Sequence, residues 1–240
     1  MGENLTYVLI HSPLVGPLTW QLIHHEMEKR GIESIVPTLS DYPNSTLPYW
    51  QQHAESLAKS LARTPQNRSI VLVAHSGAGP LLPIIRQSMV HSIGAYVFVD
   101  AGIPRNGAGR IDLMRLEDPE WAEQFHQTLL LGERFPNWND NDLQEVIPND
   151  ALRREMIAEI NPRPLAFFTE PIPVFANWPD APCVYIKFSA SYDWDFRQAK
   201  QASWLVREVN AGHFHMLVDP SVVTNVIVDT VQELRHHKTD

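Results

Sequence analysis

Short runs of aliphatic and β-branched residues alternate along the chain with amphipathic stretches. Compact apolar runs predict buried strands, and apolar residues at helical spacing predict helices packed against a core. The predicted strands cover residues 6–10, 34–37, 69–74, 93–99, 182–188 and 204–209. The predicted helices cover residues 18–30, 49–62, 78–90, 196–203 and 220–236. This alternation predicts right-handed crossovers and an α/β fold, a mostly parallel sheet with helices on both faces.

One long segment, residues 103–178, interrupts this rhythm. It contains helical patterns at 118–131 and 149–160, joined by proline-rich connectors. The strand pattern resumes after it, so the segment is predicted to be a helical cap inserted over the sheet. We therefore interpret residues 1–240 as a single domain.

Composition narrows the classes of function. Among 240 residues, 28 are acidic and 19 are Lys or Arg, which gives a net charge of −9. Such a chain repels phosphate backbones, so nucleic-acid binding is not expected. No apolar run approaches the ~20 residues of a membrane span, no secretion signal is evident, and a lone Cys183 forms no intrachain disulfide. We expect a soluble cytoplasmic protein whose partner is a small-molecule substrate. The sequence leaves undecided whether the chain also forms a homodimer.

The most specific local motif is the segment VAHSGAG at residues 73–79. A strong strand enters it and an apolar helix leaves it. A serine on such a sharp turn adopts a strained backbone conformation and presents its hydroxyl outside the fold. Ala74 and Ala78 supply the small side chains that the close strand–helix crossing requires. Ser76 is therefore a candidate nucleophile, and the alternative is an ordinary Ser-Gly turn.

A second motif, Gly212-His213, lies between the last predicted strand and the closing helix. A third segment, residues 11–17 (HSPLVGP), follows the first strand directly. With the serine turn, these motifs make residues 6–236 resemble the α/β-hydrolase superfamily, in layout the small salicylate-esterase and hydroxynitrile-lyase-like branch. The order of Ser76 before His213 agrees with that resemblance.

The resemblance implies acyl transfer in a site beneath the cap. Ser76 would attack a carbonyl carbon, and His213 would take its proton and deliver it to the leaving group. The function implied is a serine hydrolase that acts on a small apolar ester, thioester or amide. The two alternatives are a lyase or cyclase on the same scaffold, and a non-catalytic small-molecule-binding protein.

The oxyanion hole departs from the family pattern. The backbone N–H of Gly77 is implied as one donor. Relatives usually have His-Gly-x after the first strand, with the second donor on x, but here x is Pro13, which has no N–H. The second donor is then expected to be the Leu14 N–H, with the Ser12 hydroxyl as the alternative. A missing donor would favour the lyase alternative.

The acid of the implied triad is also displaced. After the strand at 182–188 the family usually has its Asp near the position of Ser191 or Tyr192, and Asp193 comes one or two residues late. Asp100, at the end of the strand after the serine turn, is the other candidate. We favour Asp100 and keep Asp193 as the alternative.

The remaining histidines receive structural roles. His75 is predicted to point away from the pocket into the sheet packing, His11 to brace the oxyanion loop, and His215 to be structural or pocket-lining. Their spacing does not match a metal site, and the sequence carries neither a dinucleotide fingerprint nor a phosphate loop, so no metal and no cofactor are expected.

The cap is rich in large apolar side chains, which would either line an apolar pocket or form a small core of the cap itself. These side chains are Met114, Leu129, Leu130, Leu131, Phe135, Trp138, Phe167 and Phe168. An aromatic or acyl substrate follows if they line a pocket.

Overall fold

All six predicted strands form, and they make one sheet. The structure is a computed structural model that describes residues 5–236. The strands are β1 (Leu5–Ile10), β2 (Ser34–Ile35), β3 (Ser69–Ser76), β4 (Ser92–Ala101), β5 (Cys183–Lys187) and β6 (Leu205–Glu208). Their order is β2-β1-β3-β4-β5-β6, and every pairing is parallel. The predicted α/β class and the α/β-hydrolase-type sheet are confirmed.

Helices occupy the connections between the strands. They are α1 (Leu18–Lys29), α2 (Tyr49–Leu61), α3 (Leu82–Gln87), α4 (Arg110–Glu117), α5 (Pro119–Leu130), α6 (Asp140–Leu143), α7 (Asp150–Ala158), α8 (Leu165–Thr169), α9 (Asp193–Gln201), α10 (His215–Val218) and α11 (Pro220–His236). None of them is both long enough and apolar enough to cross a lipid bilayer.

The helix predicted after the serine turn is shorter than expected. Residues 79–81 form a 3-10 turn, and α3 then covers only six residues. Pro83 accounts for the late start of α3, because in a helix beginning at residue 78 it could not donate the backbone hydrogen bond to the Gly79 carbonyl. The predicted helix at 196–203 begins earlier, at Asp193, and the one-turn helix α10 has no counterpart in the pattern.

Two hydrophobic cores cover the two faces of the sheet. Successive residues of β3, such as Leu72 and Val73, belong to different cores, as expected for a strand buried on both sides. The first core includes side chains of α1 and α11, and the second includes side chains of α2, α3 and α9.

The cap helices α4 to α8 lie in the connection between β4 and β5, and most of their large side chains pack together. The ring of Phe168 contacts those of Phe125 and Phe135 edge to face, and Phe135 contacts Trp138 in the same way. Of the predicted pocket residues, Leu129, Phe167 and Phe168 are buried in the first core, and Met114, Phe135 and Trp138 pack against it. Leu130 and Leu131 are 54% and 86% exposed, so they fit neither of the two expected places, an apolar pocket or a core of the cap.

Candidate active site

The candidate residues meet at the carboxyl edge of the sheet. Ser76 is the last residue of β3, Asp100 lies next to the end of β4, and His213 lies in the loop after β6. Parallel strands carry all these ends to one edge, which is where open α/β sheets place their sites.

Ser76 occupies the strained turn that the sequence predicted. Its φ is +57°, in the left-handed region that residues with a side chain rarely adopt. Ala74 and Ala78 are fully buried, as the close crossing requires. The tightest approach is at Gly79, where a Cβ atom would lie 2.1 Å from the carbonyl oxygen of Gly102. Any side chain there would push the turn away from β4.

A bulge in the sheet sets the direction of Asp100. His75 pairs with Val99, but Ser76 pairs with Ala101, so Asp100 is the extra residue. Its φ is +44°. Because of the bulge, Phe98 and Ala101 both face the second core, which breaks the regular alternation.

The carboxylate of Asp100 is fully buried and accepts four hydrogen bonds. Its Oδ1 accepts the backbone N–H groups of Phe188 at 2.8 Å and Ser189 at 2.9 Å. Its Oδ2 accepts the Ser189 hydroxyl at 2.6 Å and the His213 Nδ1–H at 2.7 Å. Burial alone would raise the pKa of Asp100, but the hydrogen bonds from His213 and Ser189 lower it below its usual value. Asp100 is therefore held as a carboxylate.

Asp193 occupies a different position from the one a triad acid needs. Its carboxylate forms an ion pair with Lys187, which also contacts Glu208 at 2.6 Å. The structure thus brings Asp100, and not Asp193, to the His213 ring.

The His213 ring contacts the rings of His75 and Tyr192. The His75 ring is 4.4 Å away, centroid to centroid, and its Nε2–H donates to the carbonyl oxygen of His213 at 3.0 Å. His75 is buried as predicted, but it supports His213 instead of lying apart from the site. Burial lowers the pKa of His75 well below its usual value, and the neighbouring His213 ring adds to this effect. A neutral ring therefore supports the candidate base.

The second ring against His213 is that of Tyr192, whose role was not predicted. Its ring stacks on His213 with centroids 5.4 Å apart and planes 13° apart, and its hydroxyl lies 3.1 Å from Ser76 Oγ. Within residues 5–236, Ser76 forms a hydrogen bond with Tyr192 and none with His213. Burial raises the pKa of Tyr192, which keeps the phenol protonated. The sequence did contain one signal for Tyr192, because this residue occupies a position where the family resemblance expects the acid.

His11 braces the loop after β1, as predicted. Its Nδ1–H donates to the Ser12 carbonyl at 2.8 Å, and its Nε2 accepts the Leu39 N–H at 3.2 Å. Burial lowers the pKa of His11 to about 4, so the neutral ring with its proton on Nδ1 satisfies both contacts.

The same loop brings the second oxyanion candidates next to Gly77. The Leu14 N–H donates to Ser12 Oγ at 3.4 Å. Ser12 Oγ in turn lies 3.1 Å from the place that a Cβ atom on Gly77 would occupy, and Pro13 Cδ lies 3.8 Å from it. The Leu14 N–H, the Ser12 hydroxyl and Gly77 are thus neighbours.

The surroundings of His213 are largely aromatic. Trp138 of the cap contacts Phe214 edge to face with centroids 6.0 Å apart, and His215 contacts Phe188.

Across residues 5–236, no group of three or more His, Cys, Asp or Glu side chains has a geometry that could hold a metal ion.

The model of the alpha/beta hydrolase family (Abhydrolase_6) matches residues 7–226. No curated protein sequence matches significantly. The chain is similar to an extracellular alpha/beta-hydrolase from a Paenibacillus species, which is described as sharing structural and functional homology with tobacco salicylic acid binding protein 2. The two superpose with a TM-score of 0.76 at 16% identity, and the match covers 94% of this chain and 98% of that one.

Two further structures have similar scores. Polyneuridine aldehyde esterase gives a TM-score of 0.71 at 17% identity, covering 95% of this chain and 99% of that one. A pyrethroid hydrolase from Sphingobium faniae gives 0.70 at 17% identity, covering 95% and 98%. At such identities these similarities concern the fold.

Proposed function

The chain belongs to the alpha/beta hydrolase family, and from that premise we propose that it is a serine hydrolase that cleaves a small apolar ester, thioester or amide. One observation carries the proposal. The buried Asp100 carboxylate accepts the Nδ1–H of His213 at 2.7 Å, at the sheet edge where Ser76 ends its strand in a left-handed turn. This bond leaves the other ring nitrogen, Nε2, unprotonated in the neutral imidazole and available as a base.

The proposed reaction has two halves. Ser76 Oγ attacks the carbonyl carbon while its proton moves to His213 Nε2, and Asp100 stabilises the imidazolium that forms. Collapse of the tetrahedral intermediate expels the leaving group, which takes the proton from His213. Water, activated by the same ring, then hydrolyses the acyl-Ser76 ester.

The negative charge of the intermediate requires two donors. Gly77 N–H follows the nucleophile directly and is the first donor in this proposal. Leu14 N–H is the second, because Pro13 offers none and because Leu14 N–H already donates to a group beside Gly77. A substrate oxygen would then take the place of Ser12 Oγ.

The choice of an apolar ester is supported by the surroundings of His213. Phe214 is buried against the His213 ring, and the partly exposed Trp138 of the cap packs on Phe214. Esterase and pyrethroid hydrolase activities in the names of structural neighbours agree with an ester carbonyl as the reacting group.

A lyase is the second candidate, and the hydrogen bond of Ser76 favours it. The hydroxyl of Ser76 contacts Tyr192 and not His213. In a lyase, Ser76 and His213 would move a proton of the substrate instead of forming an acyl-enzyme. Product analysis with a hydroxynitrile, which releases an aldehyde or ketone and cyanide without water, tests that function.

Labelling by a fluorophosphonate probe, measured by intact mass, tests the hydrolase. We expect one adduct on the wild type and none on Ser76→Ala or His213→Ala, together with turnover of p-nitrophenyl acetate that both substitutions abolish. Absence of an adduct on folded wild-type protein would reject an activated serine. It would leave the lyase or a non-catalytic binding protein as the remaining explanations.

A further inference from the structure

The backbone of the oxyanion loop, residues 12–14, has all three of its carbonyl groups engaged. The Ser12 carbonyl accepts the Val15 N–H at 3.1 Å, and the Leu14 carbonyl accepts the Asn161 N–H of the cap at 2.9 Å. Between them, the Pro13 carbonyl accepts Nε–H at 3.1 Å and Nη2–H at 3.0 Å from Arg163. A side chain of the cap thus holds the middle carbonyl with two hydrogen bonds.

That middle carbonyl belongs to the same peptide unit as the Leu14 N–H. The unit is trans and planar, so its C=O and N–H point in opposite directions. With the Pro13 oxygen held toward Arg163, the Leu14 N–H points away from Arg163, and it donates to Ser12 Oγ beside Gly77. Rotation of this peptide would replace the N–H with a carbonyl oxygen, which repels an oxyanion.

Arg163 itself is fixed on several sides. Its side chain is 3% exposed and forms an ion pair with Asp41 through Nη1. Asp41 also accepts the Nε2–H of His53 at 2.8 Å. Burial raises the pKa of Asp41, but the bonds from His53 and Arg163 outweigh burial and lower it to about 2, so the carboxylate stays charged. The guanidinium also lies over the ring of Phe167, 5.2 Å from its centroid.

We propose that Arg163 is the positioning residue that orients the Pro13–Leu14 peptide, so that the Leu14 N–H serves as the second oxyanion donor. This inference rests on the proposed hydrolase function. It explains how a loop with proline at the usual donor position keeps a donor, because the next N–H along the chain is turned into place from the cap. Lysine cannot replace Arg163, since one ammonium lacks the planar fork that reaches Pro13 and Asp41 together.

Arg110 offers a matched control. Its side chain is 4% exposed, forms an ion pair with Glu170 at 2.8 Å, and lies over the same Phe167 ring at 3.8 Å. It donates to the Phe167 carbonyl at 2.9 Å, within the cap. Its substitution therefore disturbs the same cap packing without removing a bond to the oxyanion loop.

The experiment compares Arg163→Gln, Arg163→Lys and Arg110→Gln with the wild type. Turnover of p-nitrophenyl acetate gives kcat and KM. The inhibition constant of trifluoroacetophenone measures how well the oxyanion hole binds a negative charge, because the adduct of this ketone with serine carries an oxyanion. We expect both Arg163 variants to lose about 10²-fold in kcat and in trifluoroacetophenone affinity, as for one lost oxyanion donor, with KM nearly unchanged.

Melting temperature separates positioning from folding. Arg110→Gln is expected to lower it about as much as Arg163→Gln does and to keep kcat and trifluoroacetophenone affinity within about twofold of wild type. Wild-type kinetics in a folded Arg163→Lys protein would overturn the proposal, and so would equal kinetic losses in Arg110→Gln. If Arg163→Gln does not fold, Arg163→Lys gives the decision. Failure of the hydrolase function itself is distinct, since wild-type protein would then show no Ser76-dependent turnover.

Discussion

The two sides of the candidate site are built from different parts of the molecule. On the base side, Ser76, Asp100 and His213 all lie at strand ends or in the loop after a strand, and Asp100 is bonded to backbone N–H groups that follow β5. On the oxyanion side, the loop after β1 is held by cap residues Asn161 and Arg163. The sheet thus positions the proposed base, and the cap positions the proposed donor.

Because of this difference, substitutions on the two sides of the site should have different effects on the reaction. A change in the sheet register at β4 moves the acid relative to His213. A change in the cap reaches the oxyanion loop directly, and it also reaches α1 through the hydrogen bond from Leu18 N–H to Glu159 at 2.8 Å. Variants of the cap residues that hold the oxyanion loop should therefore affect transition-state stabilisation, and strand-end variants should affect proton transfer.

The base side gives the largest expected effect, through Asp100→Asn. The amide NH2 cannot accept the His213 Nδ1–H, so the ring takes the other tautomer and loses its base at Nε2. We expect kcat for p-nitrophenyl acetate to fall by up to about 10⁴-fold, as for the equivalent change in a serine protease.

Asp193→Asn is the matched control, because Asp193 pairs with Lys187 away from His213. It should leave kcat within about twofold of wild type, because the carboxylate pairs with Lys187 and not with His213. The protein should also stay folded, since partly exposed ion pairs contribute little to stability. A larger loss in Asp193→Asn than in Asp100→Asn would reverse the assignment of the acid.

A smaller effect is expected from Tyr192→Phe. The substitution keeps the ring that stacks on His213 and removes the hydroxyl that engages Ser76 Oγ at 3.1 Å. Losing one neutral hydrogen bond of about 1 kcal/mol should free Ser76 to pair with His213 and speed fluorophosphonate labelling about fivefold. Slower labelling at an unchanged melting temperature would mean instead that the phenol assists the reaction.

The point where the chain leaves β4 and enters the cap is expected to affect stability and not catalysis. Asp195 is buried and accepts the N–H of Ile103, where the chain enters the cap, at 2.8 Å. Burial raises its pKa from 3.8 to about 7, against the opposing effect of the Ile103 bond. Between these values the folded chain holds a proton that the unfolded chain has released, so stability falls as pH rises through about 7.

Asp195→Asn should remove this dependence. We expect its melting temperature to match wild type near pH 4 and to exceed it by up to about 10 °C near pH 8. A shift of about three pKa units corresponds to about 4 kcal/mol, and each kcal/mol to about 2–4 °C in a domain of this size. Parallel curves for the two proteins would show that Asp195 is ionised at both pH values.

Local patterns predicted the elements better than the contacts between them. The strands and long helices follow from apolar periodicity, and the Ser76 turn follows from a strong strand, a Ser-Gly pair and small neighbours. The choice between Asp100 and Asp193 could not be made in this way. It depends on a one-residue bulge in β4, which the regular alternation of a strand does not reveal.

Tyr192 and Arg163 were missed for a related reason. Tyr192 lies 116 positions from Ser76 in the chain, and Arg163 lies 150 positions from Pro13. An arginine in a proline-rich connector has the composition of an exposed loop, and nothing around it in sequence indicates burial.

The sequence by itself determined the α/β class, the strained serine turn, the late Gly-His loop and the loss of the usual oxyanion donor at Pro13. These features depend on residue type and on neighbours within a few positions, where backbone sterics and periodicity act. Only the tertiary structure decided which carboxylate reaches His213, which hydroxyl reaches Ser76, and which cap residue holds the oxyanion loop. Those choices depend on distances of a few ångströms between chain segments whose relative positions are set by strand register and cap packing.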